Sequence, residues 1–346
     1  MKAAVCTRYG SPDVLQLREI DRPVPRGDEA LVRIHAASLN AVDHETLRGV
    51  FLVRMTSPFR PPHRVLGTDI AGQVEAVGSS ARHFRPGDTV WAGLSEHGWG
   101  ALAEYVCVTE DALRPKPAGM TFEEAAAYPQ AAILALQNLQ GTGEPPSTPI
   151  LLDKGPIEPG QRVLINGAGG GVGTFAVQLA KHLGAEVTGV DAAGKLDMLR
   201  SIGADHVIDY AEEDFTRNGR SYDLIVDVVA RRPISAYKRS LSPNGVCVLV
   251  GGTAAAIFQA VLLGSLTSRR GGKRLGVVMW KPNRREDLDL LSRLFEAGKV
   301  RPVIDRTCLL EEVREALGYL EEGRALGKVV ITMTHPSETG RTADFS

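Results

Sequence analysis

Seven consecutive residues of the chain, 167 to 173, read GAGGGVG and contain five glycines. They follow RVLIN (162 to 166), which is typical of a buried strand, and precede a stretch whose apolar residues recur at helical spacing. Because glycine costs conformational entropy on folding, such a cluster needs a steric or a binding reason. A glycine-rich turn between strand and helix lets backbone N–H groups approach a phosphate and places that anion at the positive end of the helix.

A carboxylate at the end of the next strand-like segment supports a dinucleotide site. Asp191 closes EVTGVD, 18 residues after Gly173, where it can accept hydrogen bonds from an adenosine ribose. The alternative is a turn needed only for helix–sheet packing. Strand, helix and acidic residue together favour binding. The predicted phosphate cradle consists of Ala168, Gly169, Gly170, Gly171, Val172 and Gly173.

The elements that must position this turn form two patterns along the chain. From Gln161, strand-like and helix-like segments alternate, which predicts a doubly wound parallel sheet. Earlier residues form short β segments separated by turns, and β character returns near the end. We therefore expect an α/β chain with a catalytic domain over 1–125, a dinucleotide-binding domain over 126–300, a return to the first domain over 301–335 and a mobile tail over 336–346.

Composition narrows the class of protein. The chain has 346 residues, 43% of them hydrophobic, and a net charge of −1, as expected for a two-domain soluble protein. That charge gives no broad attraction for nucleic acid or for an anionic membrane. The N-terminal stretch MKAAVCTRYG lacks a signal-peptide h-region, and the four cysteines show no CxxC spacing. We expect a cytoplasmic protein with neither a nucleic-acid nor a membrane partner.

Several motifs together resemble the medium-chain dehydrogenase/reductase superfamily, and more closely its zinc-independent quinone oxidoreductase branch, which includes zeta-crystallin-like proteins. The motifs are SLNAVD (38–43), VLGTDIAGQVEAVG (65–78), GALAEY (100–105), AGGGVG (168–173) and GKVVI (327–331). The resemblance implies a GroES-like β-barrel catalytic domain followed by a Rossmann domain. It also implies a cleft between them for nicotinamide and substrate, and a homodimer.

The resemblance also bears on metal. In zinc-dependent relatives a cysteine occupies the place of Asn40, and Gly-His-Glu occupies the place of residues 67–69, which are Gly-Thr-Asp here. The four-cysteine lobe of a structural zinc is missing as well, so we expect no zinc. Alcohol oxidation is harder without a Lewis acid, whereas hydride addition to a quinone or enone delocalises the negative charge.

The sequence thus predicts a zinc-independent, NAD(P)H-dependent enzyme that transfers a hydride to a quinone or an α,β-unsaturated carbonyl. Two alternatives stay open: a zinc-free alcohol dehydrogenase, and a cofactor-binding protein without turnover. The expected partner is therefore a small molecule.

The candidate catalytic residues are Asn40, Asp43 and His44. Asn40 matches the family's cleft asparagine near the nicotinamide ribose, although a turn-capping role is the alternative. Asp43 either transfers a proton or makes a structural hydrogen bond, and His44 either lines the substrate mouth or faces solvent. Leu134 stands where relatives carry a threonine that contacts the nicotinamide end, so a hydroxyl is missing from the expected site.

Cofactor choice depends on residues with opposing effects. Asp191 favours the ribose hydroxyls of NADH and repels a 2′-phosphate. Lys195 and Tyr210 match positions that cradle this phosphate in bacterial quinone oxidoreductases. We expect NAD(H) to be preferred and NADP(H) to be the alternative. Val229, Gly251 and Lys328 complete the residues that we assign to the cofactor site.

Overall fold

The computed structural model describes residues 1–141, 155–260, 272–278 and 280–334. The strands are β1 (Lys2–Val5), β2 (Gln16–Glu19), β3 (Glu29–Leu39), β4 (Asp69–Val77), β5 (Thr89–Gly93), β6 (Tyr105–Thr109), β7 (Arg114–Pro115), β8 (Arg162–Asn166), β9 (Glu186–Asp191), β10 (His206–Asp209), β11 (Tyr222–Asp227), β12 (Leu241–Leu249), β13 (Arg274–Gly276), β14 (Ile304–Leu309) and β15 (Lys328–Thr332). The helices are α1 (Ala41–Arg48), α2 (Phe51–Thr56), α3 (Phe122–Ala127), α4 (Pro129–Gln140), α5 (Gly171–His182), α6 (Leu196–Ser201), α7 (Ile234–Ser240), α8 (described over 254–260), α9 (Arg285–Glu296) and α10 (Val313–Glu321).

The first domain is organised around the long strand β3. Its side chains are mostly buried, and it pairs antiparallel with β4, β6 and β15. The order of the seven-stranded sheet is β14-β15-β3-β4-β5-β7, with β6 also on β3. The end of the chain therefore completes a sheet that the beginning of the chain starts.

The second domain contains a six-stranded parallel sheet of order β10-β9-β8-β11-β12-β13. Its central strand β8 is fully buried at Val163, Leu164 and Ile165, as a parallel strand covered on both faces requires. The chain runs outward from β8 to β10 and then resumes at β11 on the other side of β8. This reversal creates the crevice at the carboxyl ends of β8 and β11, where such sheets bind ligands. The predicted fold class, a GroES-like domain with a Rossmann domain, is confirmed.

A shared apolar core fixes the two sheets against each other. Tyr128, between α3 and α4, is fully buried and donates its hydroxyl to the Val300 carbonyl oxygen over 2.6 Å. Its ring packs against Phe175 of α5, with centroids 4.9 Å apart, and edge-on against Trp91 of β5 at 6.0 Å. These rings come from both domains, so the two domains share one apolar core.

Two segments that the sequence analysis singled out lie mostly or wholly outside the residues that the structure describes. Most of the 141–156 connector (142–154) and the polar tail from residue 335 lie there. The domain limits at 125, 300 and 335 stay a prediction. The four cysteines are free thiols, and no helix in the described ranges has the length and apolarity to cross a membrane.

Candidate active site

The glycine-rich turn lies at the carboxyl end of β8. Gly167 has φ +80°, a conformation that favours glycine, and its N–H donates to the Val190 carbonyl oxygen over 3.0 Å. A Cβ on Gly173 would lie 2.2 Å from the Gly167 oxygen, so Gly173 is needed for packing. A Cβ on Gly170 would meet only that same oxygen, at 3.5 Å, so the chain leaves room beside Gly170. Helix α5 begins at Gly171, and the first N–H groups of a helix lack intrahelical acceptors. The turn therefore fits a pyrophosphate.

Asp191 braces this turn from behind. One carboxylate oxygen accepts from the Gly169 N–H over 2.7 Å, and the other accepts from the Ala192 N–H over 2.9 Å. Lys195 Nζ lies 3.6 Å from the same carboxylate and donates to the Gly323 carbonyl oxygen over 2.8 Å. Both side chains are nearly buried. The sequence placed Asp191 only at the ribose, whereas the structure also makes it a support of the phosphate cradle.

The remaining cofactor candidates line the same edge of the parallel sheet. Tyr210 directly follows β10, is 58% exposed, and donates its N–H to the Asp191 carbonyl oxygen over 3.2 Å. Val229 follows β11, is half exposed, and lies against Gly167. Gly251 follows β12 and approaches the Val228 carbonyl oxygen, which a Cβ would reach at 2.8 Å.

The start of β15 connects this turn to the first domain. The Gly327 N–H donates to the Gly169 carbonyl oxygen over 2.8 Å. Next in sequence, Lys328 is fully buried, and its stem lies 3.0 Å from where a Cβ of Gly171 would be. Its Nζ donates to Asn40 Oδ1 over 2.6 Å and to the Leu39 carbonyl oxygen over 3.1 Å. One lysine therefore contacts both the phosphate cradle and the candidate catalytic asparagine.

Asn40 and Asp43 make different hydrogen bonds at the start of α1. The Asn40 N–H donates to Asp43 Oδ2 over 2.8 Å, and the Gly67 N–H donates to Asp43 Oδ1 over 3.0 Å. Asp43 therefore holds the helix terminus and the adjacent loop. Asn40 is the N-cap residue of α1, and its side-chain Nδ2 donates to Asp69 Oδ2 over 2.9 Å and to Thr68 Oγ1 over 3.2 Å.

A buried polar cluster continues from Asn40 toward helix α4. Thr68 Oγ1 donates to Gln130 Oε1 over 2.8 Å, and the fully buried Asp69 lies 3.9 Å from Lys328 Nζ. Asp69 Oδ1 is buried with no hydrogen-bond partner in the described part of the chain. We name Asn40, Thr68, Asp69, Gln130 and Lys328 the cleft cluster. Leu134 is half-buried and lies one helical turn beyond Gln130, on the same face of α4.

Burial shifts the proton affinities of the charged groups here. It raises the pKa of Asp43 to about 7, and it also raises the pKa of Asp69, with the Lys328 charge acting in the opposite direction on Asp69. Burial lowers the pKa of Lys328, which both carboxylates partly offset. Two carboxyl groups and one ammonium group therefore share a water-poor region in which proton positions depend on one another.

The third catalytic candidate lies on α1, four residues after Asn40. His44 is half-buried, and burial lowers its pKa, while Glu321 raises this pKa and Arg48 lowers it. Those two neighbours form an ion pair between α1 and α10. The described contacts do not connect His44 to the cleft cluster. Its proposed place at the substrate mouth stays a prediction.

Comparison with known proteins agrees with this architecture. Residues 26–118 match the family model described as alcohol dehydrogenase GroES-like domain, and residues 202–331 match the one described as zinc-binding dehydrogenase. The 2-methylene-furan-3-one reductase of Solanum lycopersicum is 35% identical over 97% of this chain and 79% of its own length. The chain belongs to the medium-chain dehydrogenase/reductase superfamily.

Solved structures place it in the zinc-independent quinone oxidoreductase branch of that superfamily. The quinone oxidoreductase of Coxiella burnetii superposes with a TM-score of 0.84, at 28% identity over 96% of this chain and 99% of that one. The Escherichia coli quinone oxidoreductase in complex with NADPH superposes with a TM-score of 0.82, at 26% identity over 96% and 100%. The resemblance seen in the sequence motifs is confirmed.

The family model's zinc does not fit the residues present. In the described ranges, no three His, Cys, Asp or Glu side chains come together as a metal site. The cleft cluster offers an amide, a hydroxyl and a carboxylate, and the Lys328 ammonium lies 3.9 Å from that carboxylate. Catalytic zinc needs three ligands such as thiolate, imidazole or carboxylate, and a buried cation at the same place opposes a second one.

Sequence reasoning missed three members of the cleft cluster. Thr68 and Asp69 entered only as replacements for metal ligands, and Gln130 did not enter at all. The available signal was a carboxylate, Asp69, at the start of a strand-like run, DIAGQVEAV. A carboxylate at the start of a buried strand needs a buried hydrogen-bond or charge partner, because an unpaired buried charge is costly.

Proposed function

We propose that this chain is an NAD(P)H-dependent reductase that transfers a hydride to a quinone or to the β-carbon of an α,β-unsaturated carbonyl. One observation carries the proposal. The start of β15 touches the phosphate cradle through the 2.8 Å bond from the Gly327 N–H to the Gly169 oxygen, and touches the cleft cluster through the 2.6 Å bond from Lys328 to Asn40. A dinucleotide on the cradle would therefore have the cleft cluster beside it.

The residues present fit such a cofactor. The open backbone at Gly170 and the first N–H groups of α5 would hold the pyrophosphate, and Asp191 with Lys195 would border the adenosine end. The nicotinamide end would lie toward Asn40. A bound reduced nicotinamide supplies the hydride.

The chain's own contribution is positioning. Asn40 is held by Lys328 on its oxygen and by Asp69 and Thr68 on its nitrogen, so its side chain has a single orientation. A side chain held in one orientation beside the reacting atoms keeps the hydride donor and the acceptor aligned. Negative charge on an enolate or hydroquinone oxygen is delocalised, and in this proposal the completing proton comes from solvent.

Similar proteins support this substrate class. The tomato relative is named as a reductase of 2-methylene-furan-3-one, and the bacterial structural neighbours are named as quinone oxidoreductases. We carry both kinds of acceptor over to this chain as part of the proposal.

For cofactor choice, we propose that NADH is preferred and NADPH is accepted. The Asp191 carboxylate lies at the end of β9, where a 2′-phosphate would approach it, and Lys195 at 3.6 Å neutralises part of its charge. The E. coli neighbour was solved with NADPH, which supports tolerance of that cofactor in the same fold. We also propose a cytoplasmic homodimer, on the basis of composition and family resemblance.

The experiment is a turnover assay on purified protein. NADH or NADPH oxidation is followed with a panel of quinones and of enones, and NAD⁺ reduction is followed with a panel of primary alcohols. We expect acceptor-dependent oxidation that is absent in the cradle variant Gly170→Val. Alcohol-dependent NAD⁺ reduction would favour the dehydrogenase alternative, and dinucleotide binding without any turnover would favour the binding-protein alternative.

A further inference from the structure

An apolar surface lies exposed on the stretch of chain between Asn40 and Thr68, two members of the cleft cluster. Helix α2 buries none of its residues. Phe51, Leu52 and Met55 are 69%, 65% and 66% exposed, and Phe59 in the following loop is 92% exposed. Met55 lies four residues after Phe51 and three after Leu52, so both of these side chains neighbour it on the helix surface. We name Phe51, Leu52, Met55 and Phe59 the α2 patch. Soluble proteins rarely leave such a group of side chains in water without a binding role.

The stretch of sequence that contains the α2 patch carries charge of one sign. Between Glu45 and Asp69 the sequence contains four arginines and no acidic residue. Arg48 is paired with Glu321 over 2.8 Å. The other three, Arg54, Arg60 and Arg64, have no acidic partner in the described part of the chain and are exposed. The net charge of −1 for the whole chain therefore conceals a local basic region.

The α2 patch is held on a defined base. The Arg54 guanidinium stacks on the Tyr9 ring at 4.3 Å, and its Nε donates to the Gly49 carbonyl oxygen over 2.8 Å. The Tyr9 hydroxyl donates to the carbonyl oxygen of Ser57, just after the helix. Both ends of α2 are thus tied to the domain, and the apolar side chains point outward from an anchored segment.

Its place in the chain relates the α2 patch to the cleft cluster. The chain leaves that cluster at Asn40 along α1, whose eight residues span about 12 Å. It returns to the cluster at Thr68. The α2 patch therefore lies between two members of the cleft cluster in sequence.

We propose that the α2 patch is a docking surface for a membrane that contains anionic lipids. Its aromatic and aliphatic side chains suit the boundary between headgroups and acyl chains, and Arg54, Arg60 and Arg64 suit lipid phosphates. A second copy of the chain suits the patch less well, because an interface of this kind with two-fold symmetry brings each surface against its own like charges. The expectation of no membrane partner was based on whole-chain charge, which does not describe this surface.

Vesicle co-sedimentation tests the proposal with the full chain and without any substrate. We expect binding to phosphatidylcholine vesicles that contain phosphatidylglycerol, little binding to phosphatidylcholine alone, and weakening as salt rises. The double variants Phe51→Ser/Leu52→Ser and Arg60→Glu/Arg64→Glu should each lose at least about tenfold in affinity. Matched controls are Val24→Ser, at an apolar side chain 74% exposed elsewhere, and Arg85→Glu, at a side chain 86% exposed. Both controls should bind like the unmodified chain.

A second measurement reports insertion directly. Phe59→Trp should show a blue-shifted emission difference on anionic vesicles, with dinucleotide affinity unchanged. Absence of vesicle binding would overturn the proposal. So would self-association that the Phe51→Ser/Leu52→Ser variant abolishes, since the α2 patch would then be an interface between copies. Reductase activity plays no part in either readout, so failure here is distinct from failure of the proposed function.

Discussion

Lys328 Nζ and Asn40 Oδ1 lie 2.6 Å apart, and both residues are buried. The same ammonium group lies 3.9 Å from Asp69, whose carboxylate also accepts from Asn40. Lys328 thus orients the asparagine and balances the buried carboxylate, while the residue before it is bonded to the phosphate cradle. The glycine-rich turn and the cleft cluster are thereby connected through the start of β15.

Removing the Lys328 charge should destabilise the fold and slow turnover. Lys328→Met leaves Asp69 buried without its cation, which typically costs about 3–5 kcal/mol of unfolding free energy. The loss should be smaller at pH 5 than at pH 8, because a protonated Asp69 needs no cation. Chemical denaturation at both pH values measures this loss of stability.

The double variant Lys328→Met/Asp69→Asn should recover much of the stability while kcat stays low, since Asn40 remains unsupported. Equal stability loss at both pH values would contradict this charge balance.

Two glycines of the cradle should respond differently to substitution. Gly170→Val should fold normally and lose dinucleotide binding, because Gly170 faces open space that the cofactor would occupy. Gly173→Ala should instead lower stability by about 3 kcal/mol, because its Cβ would lie 2.2 Å from the Gly167 oxygen. Thermal melting and fluorescence titration with NADH separate the two effects. A folded Gly170→Val variant with unchanged affinity would show that the phosphate lies elsewhere.

Asp191→Asn should shift cofactor preference toward NADPH by about tenfold, or about 1.4 kcal/mol. Asparagine removes the charge that repels a 2′-phosphate and keeps an oxygen that can accept from the Gly169 N–H. The measurement is kcat/KM for both cofactors in each protein. Lys195→Met is the companion variant and should shift the ratio toward NADH. A ratio that does not change in either variant would place the ribose away from both residues.

Asp43 should make stability depend on pH in a defined direction. Burial raises the pKa of this carboxyl to about 7 from 3.8. Between these values the folded chain holds a proton that the unfolded chain has released, so the free energy of unfolding falls as pH rises. The contribution reaches about 1.4 kcal/mol per pH unit. Asp43→Asn removes it. The free energy of unfolding, measured by denaturation from pH 4 to 8, should thus fall less steeply with pH for the variant than for the unmodified chain, whatever the variant's absolute stability. The same pH dependence of the unfolding free energy in both proteins would mean that Asp43 is ionised over this whole pH range.

The sequence by itself determined the two-sheet fold and the position of the glycine-rich turn. The reasons are local: apolar β8 followed by Gly167 and then by a helical pattern can form little else, and Asp191 is tied to the end of the next strand by its position in the chain. The absence of cysteine and histidine at residues 40 and 68 is also a property of the sequence alone.

Only the tertiary structure decided which distant residues meet. The contact between Lys328 and Asn40 joins positions 288 residues apart, and no periodicity encodes a pairing of that kind. The inward turn of Asp191 toward Gly169 and the exposure of the α2 patch likewise depend on how elements are placed in the fold. Local pattern fixes which face of an element is apolar, whereas the partner of a polar or charged side chain is fixed by packing between elements far apart in the chain.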